Sequence, residues 1–246
     1  MSNWAHSEVD LVEPIDAKSI LQKIEYACRT CYRSEAKISE GSAEKLIRSC
    51  IAKGHESVLE HASISFKIVC DRGVSHELVR HRLASYSQES TRYCNYSKEN
   101  MKDNLSFVYP AWYYDIDFNS VANFDEENIK KIVRWRLLNS ACETAEQFYL
   151  QLIADGAKPE EARAILPHCL RTNVVMTMNI RALRNFIRLR LSKFAHPDIR
   201  RIAWLIYQLL AAQGLGVLFE DLVVAVQDLD IFFKDLVIAD GKDSSL

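Results

Sequence analysis

Between Val79 and Tyr93 the chain reads VRHRLASYSQESTRY, in which Arg80, His81, Arg82 and Arg92 alternate with the hydroxyl residues Ser85, Ser87, Ser90 and Thr91. Clustered like charges repel unless an opposite charge offsets them, so the run asks for an anion. Guanidinium forks bind phosphate through paired hydrogen bonds, and hydroxyls with loop N–H groups complete the oxygen-binding shell. Arg92, flanked by Ser90 and Thr91, is therefore a candidate phosphate cradle. A solvated helix face paired with acids such as Glu77 and Glu89 would use the same residue types, and spacing alone leaves both readings open.

Such residues need elements to hold them. GSAEKLIRSCIAKG opens on Ser42 as a cap, shows Leu46, Ile47, Cys50 and Ile51 at helical spacing and stops at Gly54. ASISFKIVC then alternates, with Ile64, Phe66, Ile68 and Cys70 opposite Ser63, Ser65 and Lys67, the pattern of a half-buried strand. VSHELVRHRLA returns to helical character with a cap at Ser75, which puts Arg80 and His81 late in a short helix and the serine-rich run in a loop. Downstream, DEENIKKIVRWRLLNSACETAEQFYLQLIADG predicts one long helix with a stripe of Ile129, Ile132, Val133, Leu137, Ala141, Phe148 and Leu152. Pro159 opens a short helix ending near Pro167, NVVMTMNI reads as a strand, and RALRNFIRLRLSKF and HPDIRRIAWLIYQLLAAQG read as helices. Lys98 to Phe124 is polar, aromatic and irregular, and loops are expected there. The expected fold is α+β, one domain over 1–246 with a central antiparallel-type sheet flanked by long helices, an irregular insertion at 98–124 and a helical tail at 214–246.

Composition narrows the partners. A chain of 246 residues, 48% hydrophobic and 26% charged, buries a full core. Net charge is −2 and the isoelectric point near 6.4, so basic charge is local and a small anion fits better than nucleic acid. The amino terminus lacks a basic patch followed by an apolar run, and nowhere do 18 apolar residues follow one another; no membrane and a cytoplasmic setting are expected. The seven cysteines, Cys28, Cys31, Cys50, Cys70, Cys94, Cys142 and Cys169, are odd in number and scattered through apolar segments, which reads as reduced core thiols. Cys28 and Cys31 form a CxxC without a second pair at zinc-ligand spacing, so no metal is expected.

The motifs carry a resemblance. RHR at Arg80 to Arg82, seven residues and Ser90, continued by TRY, resembles the signature of the flavin-dependent thymidylate synthases, the ThyX family; GHESVLEH at Gly54 to His61 and EARAILPHCLRTNVVMTMNIRALRNFIRLR resemble further blocks of it. The resemblance implies reductive methylation of dUMP to dTMP with methylenetetrahydrofolate as carbon donor, FAD as hydride carrier and NADPH as reductant, in a homotetramer with shared active sites. It implies that Ser57, Arg80, His81, Arg82, Gln88, Asn179, Arg181 and Asn185 contact FAD, with His55 and Glu60 nearby. It also implies a dUMP site of Glu77, Leu78, Val79, Arg80, Gln88, Glu89, Ser90, Thr91, Arg92, Arg163 and Arg190, with Arg92 and Arg163 on the phosphate and Arg190, the catalytic residue, at the uracil. Where many relatives have Asn-Glu this chain has Ser87 and Gln88, and where they have Gln it has Glu77. Glycine is only seven of 246 residues and no GxGxxG follows a strand, which agrees with a flavin site outside a Rossmann crevice. The cysteines show no identifiable histidine-paired setting and Ser90 has no nearby base other than His81, so chemistry without an enzyme nucleophile is expected.

Overall fold

A computed structural model describes residues 3–97, 105–116 and 126–224. Its strands are β1 (Asn3–Ala5), β2 (Glu8–Leu11), β3 (Ser63–Asp71), β4 (Ala84–Gln88), β5 (Ser106–Val108) and β6 (Arg171–Asn179). Its helices are α1 (Ala17–Thr30), α2 (Ser42–Ala52), α3 (Arg72–Leu78), α4 (Glu126–Ala154), α5 (Pro159–Ala162), α6 (Ile180–Arg190), α7 (Pro197–Leu210) and α8 (Glu220–Val224). Four strands form an antiparallel sheet in the order β2-β3-β6-β4, and β1 and β5 pair in parallel beside it.

The period of two in β3 and β6 decides which way the sheet faces. Ile64, Phe66, Ile68 and Cys70 of β3 and Val174, Met176 and Met178 of β6 are buried. Leu183, Phe186, Ile187 and Leu191 on α6, with Ile199, Ile202, Ile206 and Leu210 on α7, complete that core. A second cluster of Tyr96, Phe107, Cys142, Tyr149 and Leu170 lies where α4 meets β5. The fold is the mixed α and β class with an antiparallel sheet that the sequence leads one to expect.

Register carries this packing to one end of the sheet. Ser63 stands opposite Asn179, and Ala84 opposite Met178. The 3₁₀ turn Glu56–His61 that leads into β3, the residues just before β4, and the start of α6 after β6 therefore meet there. Asn179 caps α6, its side chain accepting from Ala182 N at 2.8 Å.

Local chemistry moves three boundaries. Asp71, not Ser75, caps α3, accepting from Val74 N at 2.6 Å, because a carboxylate at the strand end reaches the free N–H groups first. α3 accordingly ends at Leu78, and Arg80 and His81 lie in the turn after it. The serine-rich run is the edge strand β4 and not a loop: Tyr86 turns inward, its hydroxyl 2.6 Å from Leu78 O, while Ser85 and Ser87 are exposed. Likewise Gly41, with φ of 73°, is the residue before α2, and Ser42 stands in its first turn with its hydroxyl 2.8 Å from Ser39 O. Gly54 ends that helix as expected, at φ of 72°. Residues 105–116 hold β5 and a 3₁₀ turn at Ala111–Tyr113 where loops were expected; the rest of 98–124, and 225–246 of the tail, lie outside the described residues.

α4 forms as one helix of 29 residues, yet only Cys142 and Tyr149 on it are buried. Val133 is 50% exposed, Leu137 67% and Phe148 55%, so the apolar stripe faces away from this chain's own core. The stretch Pro197–Leu218 is long and apolar enough to cross a membrane by composition alone, but in this fold Ile199, Ile202 and Ile206 are core residues and Asp198, Arg200 and Arg201 are buried with them. It breaks at Gly214, whose φ is 84°.

Candidate active site

At the meeting point of these elements lies a cavity of about 810 Å³, toward the upper end of the roughly 300–1,000 Å³ usual for small-molecule sites. Five arginines, Arg80, Arg82, Arg181, Arg188 and Arg190, face it with Glu56 and Glu60. His81, Asn179 and Asn185 complete its polar wall. α6 forms the long side: its 11 residues set Asn179 and Arg190 about 16 Å apart along the axis. An elongated anion fits such a trough.

Arg190 is fixed at the far end by two partners. Its Nη1 donates to Glu77 Oε2 at 2.7 Å and its Nε to His81 Nε2 at 2.9 Å. The second bond needs a lone pair on Nε2, so His81 is neutral with its proton on Nδ1. Burial first, and then the Arg190 charge, hold its imidazole down to about 4. The ring packs edge-on against Phe186 at 4.9 Å between centroids.

This gives a pH dependence. The folded-state value lies below the ordinary histidine value of about 6.5, so the unfolded chain binds the extra proton between them. The stability associated with neutral His81 is present above about pH 6.5 and is lost as pH falls toward about 4. NMR of the imidazole nitrogens should show His81 neutral at about pH 5.5; a full titration step at its ordinary value would rule the arrangement out.

The remaining expected residues divide. Arg80, His81, Arg82, Asn179, Arg181, Asn185 and Arg190, with Glu60, are brought together on the one cavity; Arg181 is tied to Glu60 at 2.5 Å. His55 and Ser57 stand beside it, exposed on the turn before β3. A second group forms around the loop after β4. Arg92 Nε donates to Glu160 Oε2 at 2.8 Å, Arg163 Nη1 to Thr91 Oγ1 at 3.2 Å, and the Arg92 amide to Ser90 Oγ at 3.3 Å. Arg92 and Arg163, far apart in sequence, thus reach the same loop. Gln88 and Glu89 turn inward: the Gln88 amide donates to Ser75 Oγ at 2.9 Å, and Glu89 accepts from Tyr96 Oη at 2.7 Å and Asn173 Nδ2 at 2.8 Å. Leu78 is in the core and Val79 is exposed.

Glu77 also faces a second cavity, of about 500 Å³, with Asp71, Trp112, His168, Cys169 and Asp198. Burial pushes the Asp198 carboxyl up to about 6. Sequence reasoning missed Glu56, Arg184 and Glu160. A signal existed for Arg184, which falls within the apolar stripe of α6 between Leu183 and Phe186 and so had to be buried with partners.

Residues 15–213 match the family described as "Thymidylate synthase complementing protein". A flavin-dependent thymidylate synthase of Pyrococcus furiosus is 36% identical over 198 residues, covering 76% of this chain and 72% of that protein. One from Mycobacterium tuberculosis is 37% identical over 183 residues, 73% and 71% of the two chains. Among solved structures, thymidylate synthase X of Helicobacter pylori, crystallised with FAD and dUMP, shares the fold at a TM-score of 0.65 with 24% identity, over 88% of this chain and 98% of that one.

Proposed function

This chain belongs to the flavin-dependent thymidylate synthase family, and we propose that it converts dUMP to dTMP at the cavity along α6, with FAD as cofactor, methylenetetrahydrofolate as carbon donor and NADPH as reductant. The observation that carries the reading is the trough itself, which gathers arginines, amides and a neutral histidine from three separate sequence blocks. Its donors fit FAD: the guanidinium groups of Arg80, Arg82 and Arg181 suit a pyrophosphate, and His81 and Asn185 suit the polar edge of an isoalloxazine. Bound there, the flavin supplies the hydride. Arg190 at the end of the trough stands for the uracil, and Arg92 and Arg163 for the nucleotide phosphate.

No enzyme nucleophile is assigned. Ser90 Oγ is engaged by the Arg92 amide, and His81, the nearest candidate base in sequence, has its Nε2 lone pair on Arg190. We take the working form to be a homotetramer with shared sites and no nucleic-acid partner; the exposed stripe of Val133, Leu137 and Phe148 on α4 supports an interface with further copies. The seven free thiols fit a cytoplasmic setting.

The direct test is the purified protein: it should carry flavin absorbance and form dTMP from dUMP when folate donor and NADPH are supplied. A colourless preparation that takes up no FAD and makes no dTMP would end the proposal.

The phosphate assignment has its own test. Glu160 holds Arg92, and that bond holds the Glu160 carboxyl below the usual carboxylate range. A phosphate dianion must replace this carboxylate. Arg92→Ala and Arg163→Ala should each weaken dUMP binding about tenfold or more, while deoxyuridine binding stays within about twofold. Glu160→Gln should do the opposite and tighten dUMP. Calorimetry decides: equal losses for nucleotide and nucleoside would take the arginines off the phosphate.

A further inference from the structure

Four of the seven cysteines stand sulfur to sulfur. Cys28 and Cys50 join α1 to α2 with 3.4 Å between Sγ atoms, and Cys142 and Cys169 join α4 to the segment entering β6 at the same separation. Each pair sets a buried thiol against a partly exposed one. Burial, and then the bond to Cys50, push the Cys28 thiol up to about 12, which keeps Cys28 protonated. In the other pair the mutual hydrogen bond draws the Cys142 thiol below its ordinary value and, with burial, pushes the Cys169 thiol far above it, so Cys142 is the sulfur that ionises first. Cys169 also forms part of the wall of the 500 Å³ cavity, which gives small solutes a path to the pair, while Cys142 is fully buried behind it.

Both backbones are held in place. The Cys169 carbonyl accepts from Val108 N at 2.8 Å and the next residue, Leu170, bridges to Phe107. Cys142 lies mid-way along α4, whose Leu138, one turn earlier, faces the same cavity. A disulfide requires sulfurs at about 2.05 Å, so oxidation must close the 3.4 Å contact.

We propose that Cys142 and Cys169 are a modification site: a thiol pair that peroxide converts to a disulfide on the rim of the second cavity. The thiolate that meets the peroxide takes one oxygen, giving a sulfenic acid while the other oxygen leaves as water. The partner sulfur, already in contact, then attacks the sulfenic sulfur; the S–S bond forms and the second oxygen leaves as water. Two electrons pass from the sulfurs to the peroxide, and a dithiol reductant reverses the change. The crosslink ties α4 to the strand entry beside His168, whose carbonyl accepts from the first N–H groups of α3. Oxidation therefore fixes the wall that Glu77 shares.

The test uses the full chain exposed to a small excess of hydrogen peroxide. Thiols titrated in denaturant should fall from seven to five, and non-reducing peptide mapping should find Cys142 joined to Cys169, reversed by dithiothreitol. The oxidised protein should melt at a higher temperature than the reduced one. Cys142→Ala and Cys169→Ser should each start with six thiols, lose none to a disulfide and show no such rise. A crosslink between Cys28 and Cys50 instead, sulfenic acid confined to the exposed Cys31, or seven thiols surviving the treatment would each overturn the proposal. Peptide mapping of the chain with all seven cysteines in place decides between these outcomes even if a variant fails to fold.

Discussion

Arg190→Ala should keep its flavin absorbance and lose at least about two orders of magnitude in dTMP formation, the size expected when one preorganised electrostatic stabiliser is removed. The expectation rests on how the side chain is held. Glu77 at 2.7 Å and His81 at 2.9 Å fix the guanidinium plane before any substrate arrives, so little reorganisation remains for the reaction itself. Activating C5 of a uracil builds negative charge on the ring, and a fixed cation beside the ring lowers the transition state more than the ground state. Arg190→Lys should do almost as badly. An ammonium is a point donor on a flexible stem and cannot reach both the imidazole and the carboxylate in the geometry of a planar fork. Measured at saturating dUMP, near wild-type turnover in either variant would remove Arg190 from the chemistry. Loss of flavin from the alanine variant would reassign it to holding the cofactor.

Where residues repeat with a clear period, the sequence was enough. The alternation of Ile64, Phe66, Ile68 and Cys70 became the buried face of β3, and Leu183, Phe186, Ile187 and Leu191 became the buried stripe of α6. Periodicity reports that a face exists, not what covers it. On α4 the apolar residues do not mark a buried face: Leu137 among them is 67% exposed, because the two core clusters close without it. Competition between neighbours was also invisible: Asp71 and Ser75 are both good caps, and only the end of β3 decides that Asp71 is used. The serines of β4 looked like a loop because an edge strand needs no apolar face on its solvent side. Motif resemblance brought the cavity residues together on paper. It did not show the inward turn of Gln88 and Glu89, which depends on where β4 pairs with β6.

The largest expected loss of stability is at Arg184, a side chain only 4% exposed. Its two Nη atoms donate to Asp221 at 2.8 and 2.7 Å, it approaches Glu56 at 3.2 Å, and it donates to the Leu218 carbonyl. One buried guanidinium thus ties α6 to α8, to the turn before α8 and to the 3₁₀ turn that begins at Glu56. Taking away one partner of a buried pair costs roughly 3–5 kcal/mol, because the charges left behind are poorly hydrated. Here Asp221 is 44% exposed and Glu56 21%, so water can reach both, and Arg184→Met, which keeps the apolar stem, should lose about 3 kcal/mol. For a chain of this length that is a fall of about 6–12 °C in the unfolding midpoint. The acid side provides the control. The Arg184 bond holds the Asp221 carboxyl below its ordinary range, so the stability it contributes is present above about pH 3.9, the unfolded value, and is lost as pH falls through the lower folded value. Thermal unfolding of parent and variant should therefore differ fully near neutrality and converge in acid below about pH 3.9. A variant that melts with its parent at neutral pH, or a gap that persists unchanged into acid, would show that the α6 to α8 junction is held by packing and not by this charge.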